Sequence, residues 1–148
     1  NRGQGFIMIG EYDKAIDDYT KAIELNPMVA GYYVTRGLLY LDKGQNDNAI
    51  ADCTKAIDEL NLSGAGPYII RGNAYACEKQ YDKAIADYTK AIELNPRYAE
   101  AYHNRGGAYF FKKEYEKAWD DVHKVQNLGY TVHPAFLRDL RQASGRQK

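Results

Sequence analysis

Hydrophobic and polar positions along the chain alternate with the spacing of paired amphipathic helices. Tyr102 and Tyr109 lie on one helical face, Ala118 and Val122 lie on another, and the polar residues 112–114 separate them. The signs of strands and hairpins are missing, because no sustained alternation with a period of two and no Asn-Gly or Asp-Gly turn occurs. The pattern therefore predicts an all-α protein.

The same helical pair occurs four times. The segment DKAIDDYTKAIELNP at 13–27 recurs with a single change at 82–96, and weaker copies occupy 47–61 and 116–130. An Arg-Gly pair precedes each segment, and its glycines, which are 34, 35 and 34 residues apart, are Gly3, Gly37, Gly72 and Gly106. A period of this length indicates stacked supersecondary units. The predicted divisions are copies at 1–29, 30–64, 65–98 and 99–132 and a final segment at 133–148.

The copies differ at their edges. The first lacks its opening positions, and we expect its helices to be separated by a turn at Ile9-Gly10-Glu11. The second carries one extra residue near 58–60, followed by a loop at 61–66. After the fourth copy, residues 134–143 place Phe136, Leu137 and Leu140 on one face. These residues predict a last amphipathic helix that covers the end of the stack.

Each Arg-Gly glycine is followed twelve residues later by an alanine, as Gly72 is by Ala84. A glycine in mid-helix costs roughly 1 kcal/mol relative to alanine, so its recurrence needs an offsetting gain. We expect the two helices of each hairpin to approach closely at this pair. The surrounding tyrosines then form the core, and the total of 14 Tyr reflects repetition rather than a platform for stacking nucleic-acid bases.

The succession Tyr-x-x-x-Gly-x-x-Tyr, Ala, Tyr, Ala and Pro with this period resembles the tetratricopeptide repeat (TPR) family over about residues 1–132. One departure is Tyr130, which replaces the usual proline. The resemblance implies a right-handed α-solenoid of antiparallel helical hairpins, here with a C-terminal capping helix. In such a solenoid the first helices of the hairpins line a concave groove.

Composition narrows the function. The 20 Lys+Arg balance the 20 Asp+Glu, so the positive footprint of a nucleic-acid binder is missing, and an RNA reader of the helical-repeat type is disfavoured for the same reason. No apolar run approaches the ~20 residues of a membrane span, and no signal segment opens the sequence. A cytoplasmic location is the expectation if the chain is complete. Cys53 and Cys77 cannot form a disulfide framework.

A charged pairing recurs with the repeat, since each Arg of the Arg-Gly motif has an Asp sixteen residues later. One interpretation is four arginines that bind anions; the favoured one is four structural ion pairs that hold hairpins or neighbouring repeats in register. The predicted pairs are Arg2 with Asp18, Arg36 with Asp52, Arg71 with Asp87 and Arg105 with Asp121.

Catalytic and metal-binding patterns are sparse. His103, His123 and His133 share no metal-ligand spacing. A dyad of Cys77 and His103 is disfavoured, since these positions should lie about 12 Å apart along the helix axes and roughly 8–10 Å between helices. The sequence therefore predicts a non-enzymatic protein without cofactor or metal.

The family's inward-facing positions predict a mostly apolar groove for a peptide segment of a partner protein. Exposed apolar surface of this kind usually marks a binding site. The predicted groove residues are Val34, Leu38, Leu41, Asp42, Ile69, Ile70, Asn73, Cys77, His103, Asn104, Phe110 and Phe111.

One other function of the family is disfavoured by this sequence, and one alternative to groove binding stays open. Members of the family that clamp the acidic C-terminal tails of heat-shock chaperones need a lysine where this chain has Ile69, so such a clamp is disfavoured even though Asn73 and Asn104 match. The alternative to groove binding is structural self-association, with a homodimer formed through the uncovered N-terminal end at Phe6, Ile7, Met8 and Ile9.

Overall fold

A computed structural model describes the backbone of residues 2–146 and the side chains of residues 11–146. Within these limits the chain is helical and contains no strand. The helices are α1 (Arg2–Leu25), α2 (Ala30–Asp42), α3 (Asn46–Thr54), which continues into a π-helical turn (Lys55–Glu59), α4 (Ala65–Cys77), α5 (Tyr81–Leu94), α6 (Ala99–Phe111), α7 (Tyr115–Asn127) and α8 (Pro134–Ser144).

The helices stack in chain order. The pairs α2–α3, α4–α5 and α6–α7 form hairpins, and the second helix of each packs against the first helix of the next. The predicted all-α solenoid is therefore confirmed. The capping helix is also present, because Leu140 of α8 is fully buried against Trp119, Val122 and Val125 of α7. The described helices include none with the length and hydropathy needed to span a membrane.

The first copy departs from the prediction. Helix α1 runs without interruption from Arg2 to Leu25, so the turn expected at Ile9-Gly10-Glu11 does not form. Continuing a helix adds one hydrogen bond per residue, whereas a turn must be offset by packing between the two helices that it joins.

The extra residue of the second copy is absorbed by the π-helical turn. The Leu60 N–H donates to the Lys55 carbonyl at 3.1 Å, a five-residue step that accommodates one residue more than an α-helical turn. The buried side chains Ala56 and Ile57 thereby stay in the core. The insertion changes the connection to α4 and leaves the stack intact.

The Arg-Gly glycines mark close approaches inside the hairpins. A Cβ added at Gly37 would lie 3.5 Å from the Ala49 carbonyl oxygen, and one at Gly106 would lie 3.5 Å from that of Ala118. The predicted glycine–alanine approach is thus present, with the alanine backbone as the facing surface. At Gly72 the nearest atom to an added Cβ belongs to the Tyr88 ring, at 2.7 Å.

Candidate functional site

Three of the predicted Arg–Asp pairs come together inside the stack. Nε and Nη2 of Arg71 donate to the two carboxylate oxygens of Asp87 at 2.8 and 2.9 Å. The same two-bond geometry joins Arg36 to Asp52 and Arg105 to Asp121, at 2.7–2.9 Å. All three carboxylates are buried. Such a paired, two-bond contact satisfies both charges where water has little access.

The remaining guanidinium nitrogen of each arginine reaches the preceding repeat. Nη1 donates to a threonine hydroxyl at 3.0–3.1 Å; the acceptors of Arg36, Arg71 and Arg105 are Thr20, Thr54 and Thr89. We call these residues the arginine ladder, and each step joins three helices. The threonines were missed at the sequence level, although a repeat signal was available, since each follows the ladder aspartate, or its counterpart Asp18, by two residues.

Tyrosine rings lie against the arginines of the ladder. The Arg105 guanidinium lies 5.6 Å from the Tyr102 ring centre and 5.9 Å from that of Tyr109. The hydrogen bonds that Arg105 donates to Asp121 raise the pKa of Arg105, while burial raises the pKa of Asp121. The fourth predicted pair lies outside the described residues on its Arg2 side, and Asp18 is exposed, unlike its three counterparts.

The predicted groove residues differ in exposure, and one of them is misassigned. Ile69 is only 4% exposed and packs against Ala91 and Ala101, because those two small side chains leave room for it between repeats. It is therefore a core residue and is not available to a ligand. The exposed members are Leu38, Asp42, Cys77, His103 and Phe111, and the half-buried ones are Val34, Leu41, Ile70, Asn73, Asn104 and Phe110.

The capping helix covers part of the fourth copy's groove positions. The ring of Phe136 in α8 lies 5.7 Å from that of Phe110 and 6.0 Å from that of His103. Phe110 also contacts Tyr115, at 5.9 Å between ring centres. Phe111 instead remains 63% exposed and stacks on Tyr81 at 5.3 Å. Of the two phenylalanines, Phe111 is thus the one open to a partner.

A polar contact joins the two neighbouring first helices α4 and α6. Nδ2 of Asn104 donates to Oδ1 of Asn73 at 2.9 Å, and the Tyr88 hydroxyl donates to the same oxygen at 2.8 Å. In the part of the chain that the structure describes, no hydrogen bond uses Nδ2 of Asn73 or Oδ1 of Asn104. One donor and one acceptor therefore remain on adjacent helices.

The two cysteines differ in burial. Cys53 is buried, and burial raises the pKa of its thiol to about 12, whereas Cys77 is exposed. Among residues 11–146, no group of His, Cys, Asp and Glu side chains is arranged to hold a metal ion. The residues proposed for self-association, Phe6, Ile7, Met8 and Ile9, lie outside the described side chains.

Comparison with protein families agrees with the repeat analysis. Residues 1–28 and residues 30–59 each match a model described as tetratricopeptide repeat, and residues 72–113 match one described as TPR repeat. The Hsp70-Hsp90 organizing protein of Triticum aestivum is 38% identical over 48 residues, which make up 32% of this chain and 8% of that protein. The chain thus spans a small fraction of the length of this curated relative.

Solved structures extend the likeness to nearly the whole chain. A crystal structure of the MamA protein has a TM-score of 0.80 and 28% identity, covering 97% of this chain and 79% of that one. The first TPR of Spaghetti (RPAP3), bound to the HSP90 peptide SRMEEVD, has a TM-score of 0.70 and 29% identity, covering 78% and 90%. On this sequence and structural likeness, the chain belongs to the tetratricopeptide repeat family.

Proposed function

We propose that this protein is an interaction module that binds an extended segment of a partner protein along the first helices α2, α4 and α6. The observation that carries the proposal is the Asn73–Asn104 contact, with its unused amide donor and carbonyl acceptor. An extended polypeptide presents alternating N–H and C=O groups, which these two amide groups can bind without demanding a charge. The similar TPR of Spaghetti, which is bound to a peptide, supports the same class of ligand.

Other predicted groove positions carry exposed apolar side chains. Phe111 is 63% exposed and Leu38 is 42% exposed. Aromatic groups on such a surface tend to dominate the binding energy. The predicted groove residues include the exposed carboxylate of Asp42 and contain no Lys or Arg. An acidic segment would be repelled there, so the preferred ligand is neutral or apolar.

The test uses peptides selected on the purified chain from a displayed library of random peptides, then synthesised and measured by calorimetry. Asn73→Ala should weaken binding about tenfold, because one hydrogen bond to the ligand is worth about 1 kcal/mol and its partner is left unpaired. Phe111→Ala should weaken binding by a similar factor without touching the Asn73–Asn104 contact. Asn127→Ala, which removes an exposed amide at the end of α7, is the matched control.

The salt dependence of the affinity is the second measurement, made by repeating the same titration at low and high ionic strength. Affinity should change less than about twofold between low and high ionic strength, since the groove side chains contribute little fixed charge. Circular dichroism must show that each variant keeps its helicity. Binding that survives both substitutions yet collapses in salt would contradict the proposal and place the site on a charged surface elsewhere.

A further inference from the structure

A cleft of about 420 Å³ opens where the fourth copy meets the capping helix. It lies between the start of α6, the last turn of α7 and the loop that leads to α8. Its apolar walls are Tyr98, Val125 and Tyr130, and His103 of the predicted groove lines it as well. We call it the junction cleft. Its volume falls within the range of pockets that enclose small ligands or large side chains.

The preceding repeat shows which residues fill the equivalent junction. One copy earlier, the equivalent junction is a closed apolar cluster in which Ile69, Ala91 and Tyr98 pack together. The residues 34 positions later are His103, Val125 and Val132. At this junction the chain therefore has a small valine where the preceding junction has a tyrosine, and the equivalent packing lacks an aromatic ring.

The nearby side chains do not replace the missing ring. Val132 is 5% exposed and belongs to the core cluster around Trp119, while Tyr130 is 60% exposed. His103 is shared by the cleft and the predicted groove, and the Phe136 ring of α8 lies 6.0 Å from the His103 ring. A space with aromatic walls thus adjoins the predicted groove at His103.

We infer that the junction cleft binds an aromatic side chain of the partner segment, which takes the place that Tyr98 has one copy earlier. The inference rests on the proposed function and adds a specificity subsite to it. Tyr98 and Tyr130 offer ring faces, and aromatic pairs prefer offset or edge-to-face arrangements. Arg97 and Glu100 at the lining carry opposite charges, so the cleft selects shape and aromatic character rather than net charge.

The experiment titrates the isotope-labelled chain with N-acetyl-tryptophanamide and, separately, with N-acetyl-leucinamide, followed by NMR. The aromatic probe should produce saturable shifts at Tyr98, Val125 and Tyr130 with a dissociation constant in the millimolar range. The leucine probe should bind at least fivefold more weakly. Tyr130→Ser should weaken the aromatic probe at least fivefold, while Leu25→Ser, which removes an 88% exposed side chain far along the chain, should not.

The outcomes separate this inference from the proposed function. Shifts absent from the cleft residues, equal binding of the two probes, or no effect of Tyr130→Ser would each overturn the inference. None of these results depends on the selected peptides. Conversely, if the aromatic probe occupies the cleft while no peptide responds to Asn73→Ala, the proposed groove function fails and the cleft remains a ring-binding site.

Discussion

At the scale of single residues, Gly72 has the tightest constraint among the three Arg-Gly glycines whose surroundings the structure describes, Gly37, Gly72 and Gly106. A Cβ at this position would lie 2.7 Å from the Tyr88 ring, which is 1% exposed and whose hydroxyl is bonded to Asn73. The ring therefore has little freedom to move away. Steric constraint, rather than backbone angle, is what requires glycine here, because Gly72 lies inside the regular helix α4.

Gly72→Ala should accordingly lower the free energy of unfolding by about 1–3 kcal/mol through overpacking. Gly107→Ala is the matched control on α6, since nothing lies within 4 Å of a Cβ added there. Alanine is the better helix former, so the control should raise stability by about 0.5–1 kcal/mol. Urea denaturation of both variants measures the difference, and equal effects would contradict the steric explanation.

The buried Cys53 thiol should make the stability of the fold depend on pH. Burial raises the Cys53 thiol pKa to about 12, compared with about 8.5 in an unfolded chain. Between these values the unfolded chain releases this proton and the native one retains it, so the Cys53 contribution to stability falls as pH rises, by about 1.4 kcal/mol per unit. Unfolding free energies at pH 8 and 10 should therefore fall more steeply in the natural chain than in Cys53→Ala.

Cys77→Ala serves as the control for this slope, because Cys77 is exposed. It should retain the steep pH dependence of the natural chain. Thiol labelling provides an independent check: at neutral pH the folded chain should expose one fast-reacting thiol, and denaturant should reveal the second. Two fast-reacting thiols in the native state would show that Cys53 is not shielded.

At the scale of helices, the arginine ladder is the device that joins three elements at a time. Arg71 contacts Asp87 on α5 in its own hairpin and Thr54 on α3 in the preceding one. Because the aspartate is buried, removing the arginine leaves an uncompensated charge in the core. The ladder therefore couples the closing of a hairpin to its docking on the previous repeat.

Arg71→Ala should lower the free energy of unfolding by about 3 kcal/mol, with no effect on groove affinity in the folded protein. Arg71→Lys should recover only part of the loss, since an ammonium group cannot reproduce the two-bond fork. Lys90→Ala, which breaks an exposed pair with Glu93, should change stability by less than about 0.5 kcal/mol. Comparable losses for Arg71→Ala and Lys90→Ala would show that the ladder is only a surface contact.

At the scale of the whole molecule, the C-terminal segment packs on the last hairpin with contacts like those that the first helix of a repeat makes with the preceding one. Arg146 pairs with Glu116 across the same 30-residue separation that joins Lys112 to Asp82. Its guanidinium also lies 5.4 Å from the Trp119 ring centre, and Trp119 donates to the Ser144 hydroxyl at 3.1 Å. At the position where Thr20, Thr54 and Thr89 accept from a ladder arginine, the last copy has His123, which stacks on Trp119. The arginine ladder therefore stops at α7, before the capping helix.

Repetition made much of this architecture predictable. A motif that recurs every 34 or 35 residues reports the same local environment several times, so the helices, the glycine approaches and the aspartate partners of Arg36, Arg71 and Arg105 can be predicted from spacing alone. The turn expected at Ile9-Gly10-Glu11 was wrong, because a turn forms only where packing between the two helices that it joins offsets the helical hydrogen bonds that it interrupts. The local sequence around Gly10 carries no information about that packing.

The sequence by itself determined the period, the helix content, the family and which residues could pair across a hairpin, because each depends on local spacing. Only the tertiary structure decided which side chains a ligand can reach. Ile69 occupies a predicted groove position, yet it is buried in the core because the small side chains of Ala91 and Ala101 on neighbouring helices leave room for it. Phe110 is screened by α8, and a cleft lined by Val125 and Tyr130 is open at the junction whose counterpart one copy earlier packs around Tyr98. The exposure of a side chain depends on which residues the neighbouring helix places against it, and those contacts form only when the repeats pack together.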